Sequence, residues 1–252
     1  MITGVKIVNT AKKYIDKGGS IFCKEYGLNY TVNWCVIYVW YVFRKAGACK
    51  LFYDCQKVCN VANADSWLRR NATWIKDIKD AKAGDIIIMT WDKGKGNNKR
   101  IGSRDHMGIV TGLDGNNVKT IEGNTGSAAC NKAKVSYRTR PAANVYAIYR
   151  PKYDTSKADK ELTKKVKDTL SGKYGTGAER KKALGRDYET VQDEINRITR
   201  LTENTLRGDY GNGEDRKKAL GSDYDLVQWN ITRLNNAKES ERNEVHRNYQ
   251  AA

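Results

Sequence analysis

The second half of the chain contains one sequence twice. Residues 170–198, LSGKYGTGAERKKALGRDYETVQDEINRI, align with residues 206–234, LRGDYGNGEDRKKALGSDYDLVQWNITRL, at an offset of 36 residues and with 17 of 29 positions identical. A duplication of this kind means that both copies fold into the same supersecondary unit. Each copy has a Gly-rich turn, a short helix and a longer helix entered at an Asp-Tyr pair. With the helix before the turn, this predicts a three-helix unit that is too small to bury much surface alone.

The first half contains one long apolar run, from Cys35 to Ala46. Its β-branched residues would also suit a strand, but its length favours a helix. Asn33 is a candidate N-cap, and Gly47 suits the C′ position that closes a helix. Cys35 would then lie at the helix start, where unpaired N–H groups and the dipole favour the thiolate, the reactive form of cysteine.

A reactive thiol at this position also needs a base, because a helix N-terminus stabilises an anion by only about 0.3–1 kcal/mol. The chain has two histidines, His106 and His246. His246 lies in the charged tail, whereas His106 begins an apolar, strand-like segment. We therefore expect His106 to be the partner of Cys35, with a third polar group orienting its ring.

The segment after His106 predicts a β-hairpin, with strands over about 105–112 and 116–124. A three-residue turn at 113–115 with a G1 bulge would place His106 directly opposite Glu122, within reach of a carboxylate–imidazole hydrogen bond. A two-residue turn would direct Glu122 to the other face. We expect the bulged turn, and strand alternation then puts Asn124 on the same face as Glu122.

Charge is distributed unevenly along the chain. The net charge is +17, of which residues 1–152 carry +15 and residues 153–252 carry +2. A basic domain attracts a polyanion, which could be a nucleic acid, an anionic membrane or an anionic cell wall. No stretch is long enough to cross a bilayer, and no RRM, helix-turn-helix or zinc-finger pattern is present.

All six cysteines lie in the first 130 residues, and none forms a C-x-x-C pair or a zinc spacing. We expect no metal and no cofactor. Whether a disulfide forms among the cysteines of residues 49–59 stays open. The N-terminus has the pattern of an amphipathic helix rather than of a signal peptide, which argues against oxidation during synthesis. The cysteines are Cys23, Cys35, Cys49, Cys55, Cys59 and Cys130.

Five motifs of the first half, in their order and spacing, resemble the CHAP family of peptidoglycan amidases and endopeptidases. The resemblance implies an α+β fold over residues 1–151, papain-like, with N-terminal helices and an antiparallel sheet. A calcium loop of the kind that some relatives carry is not visible. The motifs are Trp34-Cys35, AGDIIIMTW (83–91), DHMGIV (105–110), TIEGNT (120–125) and VYAIYRP (145–151).

The same resemblance implies roles for particular residues. Cys35 would be the nucleophile and His106 the general base, with Glu122 and Asn124 as orienting polar residues. Aromatic side chains are candidates for lining the substrate groove, whereas those inside the apolar run are expected in the core. The groove candidates are Trp34, Trp91 and Tyr38, and the core candidates are Trp40 and Tyr41.

The duplicated sequence resembles the CW_7 cell-wall-binding repeat, whose motif is W/Y-G-N-G-x-x-R followed by Y-x-x-V-Q. The second copy keeps the motif, and the first has Thr176 in place of its Asn. The family binds muropeptide units of peptidoglycan. The residues expected to bind the wall are Tyr174, Arg180, Tyr210 and Arg216. The expected boundaries are a linker at 152–160, repeats at 161–200 and 201–237, and a charged tail at 238–252.

Together these features resemble the layout of a phage endolysin. The function expected is peptidoglycan hydrolysis through a thioester, with N-acetylmuramoyl-L-alanine amidase favoured over a stem-peptide or cross-bridge endopeptidase. A basic nucleic-acid-binding protein is the alternative from another class. The expected partners are peptidoglycan and anionic wall polymers, with no nucleic acid and no membrane insertion. Without a signal peptide, the protein would remain in the host cytoplasm until holin-type release.

Overall fold

The computed structural model describes residues 2–92, 94–154 and 157–250. The chain divides into two compact units, Met1–Asp154 and Thr155–Ala252. Residues 155 and 156 of the predicted linker lie outside the described residues, and so do the tail side chains from 242 to 250, His246 among them.

The first unit is α+β, which confirms the predicted fold class. The elements of its described part are α1 (Gly4–Lys12), α2 (Ser20–Tyr26), α3 (Cys35–Lys45), α4 (Val61–Asn71), β1 (Thr73–Trp74), β2 (Ile86–Met89), β3 (His106–Asp114), β4 (Asn117–Thr125), β5 (Lys134–Pro141) and β6 (Val145–Arg150). The strands form one antiparallel sheet in the order β1-β6-β2-β3-β4-β5.

Helix α3 is the centre of the first unit. Every residue from Cys35 to Phe43 is buried, and a helix that is apolar on all sides needs such surroundings. The predicted C-terminus is confirmed, since Gly47 has φ of +71°. The N–H groups of Gly47 and Ala48 donate to the carbonyls of Arg44 and Phe43 at 3.0 and 2.8 Å, which is the Schellman pattern.

One face of the sheet packs against α3, and this contact is close at Gly123 of β4. A Cβ atom at this position would lie 2.5 Å from the Tyr38 Cβ and 2.6 Å from the Trp34 Cζ3. Only glycine lets the strand approach the helix so closely. The opposite face of the sheet carries a smaller apolar cluster around Ile87, Val110 and Ile148.

The β3–β4 hairpin has a different register from the predicted one. Asp114 pairs with Asn117 across a two-residue turn, and the register then shifts by one at a bulge between Val110 and Gly112. The predicted three-residue turn at 113–115 is therefore wrong. The bulge inserts one extra residue into β3, which returns Glu122 to the same face as His106.

The segment between α3 and α4 contains a disulfide, Cys49–Cys55, while Cys59 is free and exposed. The sequence left this pairing open. Tyr53, Asp54 and Cys55 all have positive φ, so the six-residue separation of the bonded cysteines is closed by a tight left-handed turn.

The described part of the second unit contains five α-helices, and the two repeats share one of them. Helix α7 ends the first repeat and also precedes the Gly-rich turn of the second. One apolar cluster runs through both copies, so neither repeat needs a core of its own. The helices are α5 (Lys157–Leu170), α6 (Gly177–Leu184), α7 (Tyr188–Leu206), α8 (Gly213–Leu220) and α9 (Tyr224–Gln250).

The Asp-Tyr pairs stand where each long helix begins, and each aspartate forms an ion pair with another helix. Asp187 occupies the N-cap position of α7 without a side-chain capping bond and accepts instead from Lys165 Nζ at 2.6 Å. Asp223 pairs with the buried Arg197 of α7 at 2.7 Å. These carboxylates link separate helices.

The Gly123 contact predicts a destabilised variant. Gly123→Ala forces a methyl group into the Tyr38 and Trp34 side chains, so we expect a loss of about 1–3 kcal/mol in the free energy of unfolding. The midpoint of urea denaturation measures this loss.

Gly112→Ala is the matched control, because a Cβ at Gly112 would meet nothing within 4 Å. This variant is expected to be neutral or slightly stabilising. Equal stability of the two variants would contradict the tight helix–strand contact.

Candidate active site

Cys35 is the first residue of α3, as the sequence predicts. The residue that precedes the helix is Trp34, with φ of −118° and ψ of 17° and no side-chain capping bond. The predicted cap at Asn33 is therefore wrong. No side chain caps the helix start, so the N–H groups of the first turn, which begins at Cys35, have no capping partner.

His106, the first residue of β3, brings its ring to Glu122. The His106 Nε2 lies 3.1 Å from Glu122 Oε2, and both side chains are buried. Continuing the observed register puts Gly108, not His106, beside Glu122. A Cβ at Gly108 would lie 2.7 Å from the Glu122 Cγ, so the missing side chain is what lets Glu122 lean diagonally toward the ring.

Glu122 is held by two residues that the sequence analysis missed. Thr120 Oγ1 donates to Glu122 Oε1 at 2.6 Å, and Arg140 Nε donates to the same oxygen at 2.9 Å. Arg140 Nη2 donates to the second oxygen, Oε2. The arginine thus forms a two-pronged pair with the carboxylate. Thr120 pairs with Arg138 across β4 and β5. Arg140 lies two residues further along β5 and therefore on the same face of the sheet, which places it within reach of Glu122.

This network changes the proton affinities of both partners. Burial lowers the pKa of His106, but the Cys35 side chain and Glu122 more than offset it and raise the pKa from 6.5 to about 9. Burial would raise the pKa of Glu122, but Arg140 and His106 lower it from 4.5 to about 2. At neutral pH the pair is therefore carboxylate and imidazolium.

The Cys35 thiol lies close enough to His106 to affect the ring's proton affinity. Because Nε2 faces Glu122, Nδ1 is the ring nitrogen left to exchange a proton with the thiol. The arrangement has a thiol at a helix start, an imidazole, and a buried carboxylate that fixes the ring. It can transfer an acyl group through a covalent thioester.

Cys35 and His106 line a groove of about 690 Å³, whereas Glu122 is fully buried and does not line it. Trp91 forms part of its wall and is 47% exposed. Its ring centroid lies 6.1 Å from that of His106, and the Arg140 guanidinium carbon lies 5.2 Å from the Trp91 centroid. Trp91 is thus a groove aromatic, as predicted, and it shields the imidazole on one side.

The other predicted groove aromatics lie in the core. Trp34 is fully buried and donates from Nε1 to the Cys130 carbonyl at 3.0 Å. Tyr38 is also buried, and its hydroxyl donates to the Ala11 carbonyl at 3.0 Å. Both predictions were wrong because Tyr38 extends from α3 into the core and Trp34, just before α3, stacks on the buried Phe22. Trp40 and Tyr41 are buried, as expected.

Asn124 lines the groove but does not hydrogen-bond the His106 ring. It takes positive φ, 55°, where β4 loses register with β5 between Glu122 and Thr125. Its Nδ2 donates to Asn33 Oδ1 at 3.4 Å, and its Oδ1 is buried with no hydrogen-bond partner. The orientation of the ring therefore depends on Glu122.

In the second unit, the predicted repeat aromatics differ in exposure. Tyr174 is half-buried, whereas Tyr210 is buried in the shared apolar cluster. Tyr210 therefore packs in the core of the second unit, and only a small part of its side chain is exposed. Nothing in the repeat sequence distinguishes the two tyrosines, because the difference comes from the helices packed around them.

The repeat arginines hold the Gly-rich turns. Arg180 Nε donates to the Gly175 carbonyl at 3.2 Å, and Arg216 Nε donates to the Gly211 carbonyl at 3.0 Å. In the second copy Arg216 Nη2 also donates to Asn212 Oδ1, at 2.7 Å. The first copy has Thr176 at this position and makes no such bond among its described contacts.

Two further findings concern the described part of the chain. It contains no group of three or more His, Cys, Asp or Glu side chains placed to hold a metal ion. Among its helices, none combines the length and the apolar character that crossing a membrane requires.

The site brings together the side chains that a thiol-dependent hydrolase needs, and two family models match parts of the chain. Residues 25–124 match the model of the CHAP domain, and residues 166–199 and 200–236 each match the CW_7 repeat. The chain therefore carries a CHAP domain followed by two CW_7 repeats, as the sequence motifs indicated. CHAP domains are cysteine-dependent peptidoglycan amidases and endopeptidases, and this order is consistent with an endolysin-like architecture.

Two solved structures are similar to this chain at 18% and 17% identity, both with a TM-score of 0.36. They are described as the crystal structure of Ly7917 and the crystal structure of Ly7917 with the hydrolyzing product of MDP. Each match covers 59% of this chain and 62% or 63% of the solved chain, so the chain spans less than two thirds of the length of Ly7917. These TM-scores are too low to support an argument. No curated protein matches the chain.

The His106–Glu122 pair predicts a titration that can be observed directly. In wild type, NMR of the ring protons should show His106 titrating with a pKa of about 9. Glu122→Gln removes the charge that favours the imidazolium, so the pKa of His106 in this variant should move down toward 6.5. A His246→Gln variant assigns the two histidine signals.

The same pair sets the pH dependence of stability. Because the folded-state pKa of His106 lies above 6.5, its protonation stabilises the fold fully below that pH and is lost as pH rises through about 9. The melting temperature should fall over this interval, and less so in Glu122→Gln. If Glu122→Gln leaves the midpoint of the His106 titration unchanged, the pairing of His106 with Glu122 is contradicted.

Proposed function

We propose that this protein is a peptidoglycan hydrolase that cuts an amide bond by thioester chemistry. The observation that carries the proposal is the contact of His106 with the buried Glu122 beside Cys35, inside a CHAP domain. In this proposal Cys35 is the nucleophile, His106 is the general base and acid, and Glu122 orients the ring.

The proposed reaction has two acyl-transfer steps. His106 carries the proton at neutral pH, so the Cys35 sulfur attacks the amide carbonyl as a thiolate beside the imidazolium, while N–H groups at the start of α3 stabilise the oxyanion. The amine leaves with the proton from the imidazolium, and a thioester remains. Water, deprotonated by His106, then attacks the thioester and releases the acid and the free thiol. The Glu122 charge stabilises the imidazolium in both steps.

For substrate contacts we propose the groove residues that the catalytic set leaves available. Trp91 offers an exposed aromatic face beside His106. The Asn124 Oδ1 has no hydrogen-bond partner, so it is suited to accept an N–H of a bound peptide. Asn124 is thus proposed as a substrate-binding residue.

The bond that we favour is the N-acetylmuramoyl-L-alanine amide, with a stem-peptide or cross-bridge bond as the alternative. All three are amides that the same thiol chemistry can cut. The match to the CHAP domain supports cleavage of a peptidoglycan amide bond in general. The products of digestion decide which of the three bonds is cut.

The two CW_7 repeats support a wall-bound enzyme. We propose that they bind muropeptide units and that two linked sites raise the avidity, since the second site sees an effective concentration near mM. The +15 charge of the first 152 residues would add attraction to anionic wall polymers, which salt weakens. We further propose a phage endolysin that stays in the host cytoplasm until holin-type release.

The mechanism predicts complete loss of activity in one variant. Wild type should reduce the turbidity of Gram-positive cell walls, and Cys35→Ala should not, because no nucleophile remains. Mass spectrometry of the products then identifies the bond, as free stem peptides mean an amidase and cut stems or bridges mean an endopeptidase.

Cys23→Ala is the control, because Cys23 is a buried core thiol outside the groove. It should keep activity. Equal clearing by wild type and Cys35→Ala would overturn the mechanism.

The repeats predict a stepwise loss of wall binding. On the Cys35→Ala background, Arg180→Ala or Arg216→Ala loosens one Gly-rich turn, and the double variant loosens both. We expect wall affinity to fall with each change, and most in the double variant, in a sedimentation assay.

Lys182→Ala with Lys218→Ala removes the same charge from exposed positions of the same helices. If this control loses as much binding as the arginine pair, then binding depends on charge alone and the proposed role of the turns is wrong.

A further inference from the structure

The groove contains an arginine that the proposed mechanism does not use. Arg104 lines the groove, and 35% of its side chain is exposed. Within the described part of the chain, its contacts are Asp65 Oδ2, 3.3 Å from Nη1, and the Tyr146 ring, 6.0 Å from Cζ. A guanidinium has five N–H donors, so most of those of Arg104 remain available to a ligand.

The contact with Asp65 does not neutralise this arginine. Asp65 is fully buried, and its Oδ2 already accepts from Arg69 Nε at 2.8 Å. Its Oδ1 accepts from the Tyr149 hydroxyl at 2.6 Å. Arg104 is therefore the third and most distant donor to one carboxylate.

The surroundings of Asp65 have a surplus of positive charge. Arg100 interacts electrostatically with both Asp65 and Arg69, so one carboxylate faces three guanidinium groups, including that of Arg104. Surplus charge near a groove attracts an anion, and its effect is largest where the groove excludes water.

Arg104 has a fixed position relative to the catalytic residues. The segment before it pairs with β6, since the N–H groups of Asn98 and Arg100 donate to the carbonyls of Val145 and Tyr146 at 2.7 and 2.9 Å. The segment ends where the Asp105 N–H donates to the Met89 carbonyl at 2.9 Å. Arg104 stands two residues before His106, so their Cα atoms are at most about 7 Å apart.

The other charged side chains of the groove are already occupied. Arg140 forms its two-pronged pair with Glu122. Asp105 Oδ2 accepts from the Trp91 N–H at 2.7 Å and from the Ser103 hydroxyl. Arg104 is thus the cation of this groove that is best placed to bind an anionic group of the substrate.

We propose that Arg104 binds a carboxylate of the peptidoglycan stem peptide, a few residues from the bond that is cut. The enzyme would therefore prefer stems in which this carboxylate is free to stems in which it is amidated. A planar guanidinium matches a carboxylate with two parallel hydrogen bonds, whereas a neutral amide cannot accept at both positions. This inference rests on the proposed function, because it assumes a peptide in the groove.

The test uses two synthetic muropeptides that differ only in one group, an α-carboxylate or a carboxamide. Binding is measured by calorimetry on the full chain with Cys35→Ala, Arg180→Ala and Arg216→Ala, so the result depends neither on turnover nor on muropeptide binding by the repeats. We expect the carboxylate peptide to bind about tenfold more tightly, as charge-assisted hydrogen bonds imply. Adding Arg104→Gln should make the two peptides bind equally.

Arg69→Gln is the matched control, because Arg69 contacts the same carboxylate but does not line the groove. It removes the same charge and should keep the preference. Melting temperatures of both variants show whether each is folded. If Arg69→Gln also abolishes the preference, long-range charge explains it and the role of Arg104 is overturned.

Equal binding of the two peptides to the chain with Cys35→Ala, Arg180→Ala and Arg216→Ala, or no binding of either, also overturns the proposal. Wall clearing separates this failure from failure of the proposed function. An enzyme that clears walls in a Cys35-dependent manner but shows no carboxylate preference is a hydrolase in which Arg104 has another role.

Discussion

The packing of helix α3 against the sheet is the constraint on which the site depends. The helix is buried on all sides, and at Gly123 the strand β4 comes close enough that a methyl group would not fit. Because helix and sheet are both rigid, this contact sets where α3 begins, and therefore where Cys35 lies relative to His106. The thiol and the imidazole come from segments 71 positions apart in the chain, and no local interaction could bring them together.

Burial of the site has an electrostatic cost, which the Arg140 pair with Glu122 offsets. A carboxylate without solvent would normally take up a proton, and a neutral Glu122 would not stabilise an imidazolium. Arg140 keeps Glu122 ionised, and Glu122 in turn raises the pKa of His106 to about 9. The His106–Glu122 pair thus depends on a third charged group, the Arg140 guanidinium. The same arginine covers Trp91, which borders the groove.

Much of the fold and the candidate site could be predicted from the sequence. The long apolar run between Cys35 and Gly47 indicated a buried helix, and the only two histidines narrowed the choice of base. The hairpin register could not be predicted, because a two-residue turn followed by a bulge places the same side chains on the same face as a three-residue turn. The carboxylate–imidazole contact was therefore expected for the wrong geometric reason. Gly108, which makes the diagonal contact possible, has no recognisable signal in the sequence.

By itself the sequence determined what depends on local pattern: the helix that begins at Cys35, the strands around His106 and Glu122, and the duplicated helical unit with its Gly-rich turns. The tertiary structure decided which side chains are buried and which charges meet. Trp34 and Trp91 were both expected as groove aromatics. Trp34 instead stacks on the buried Phe22, whereas Trp91 faces the groove. The physical reason is that burial and ion pairing depend on neighbours far away in the chain, and a linear pattern does not specify those neighbours.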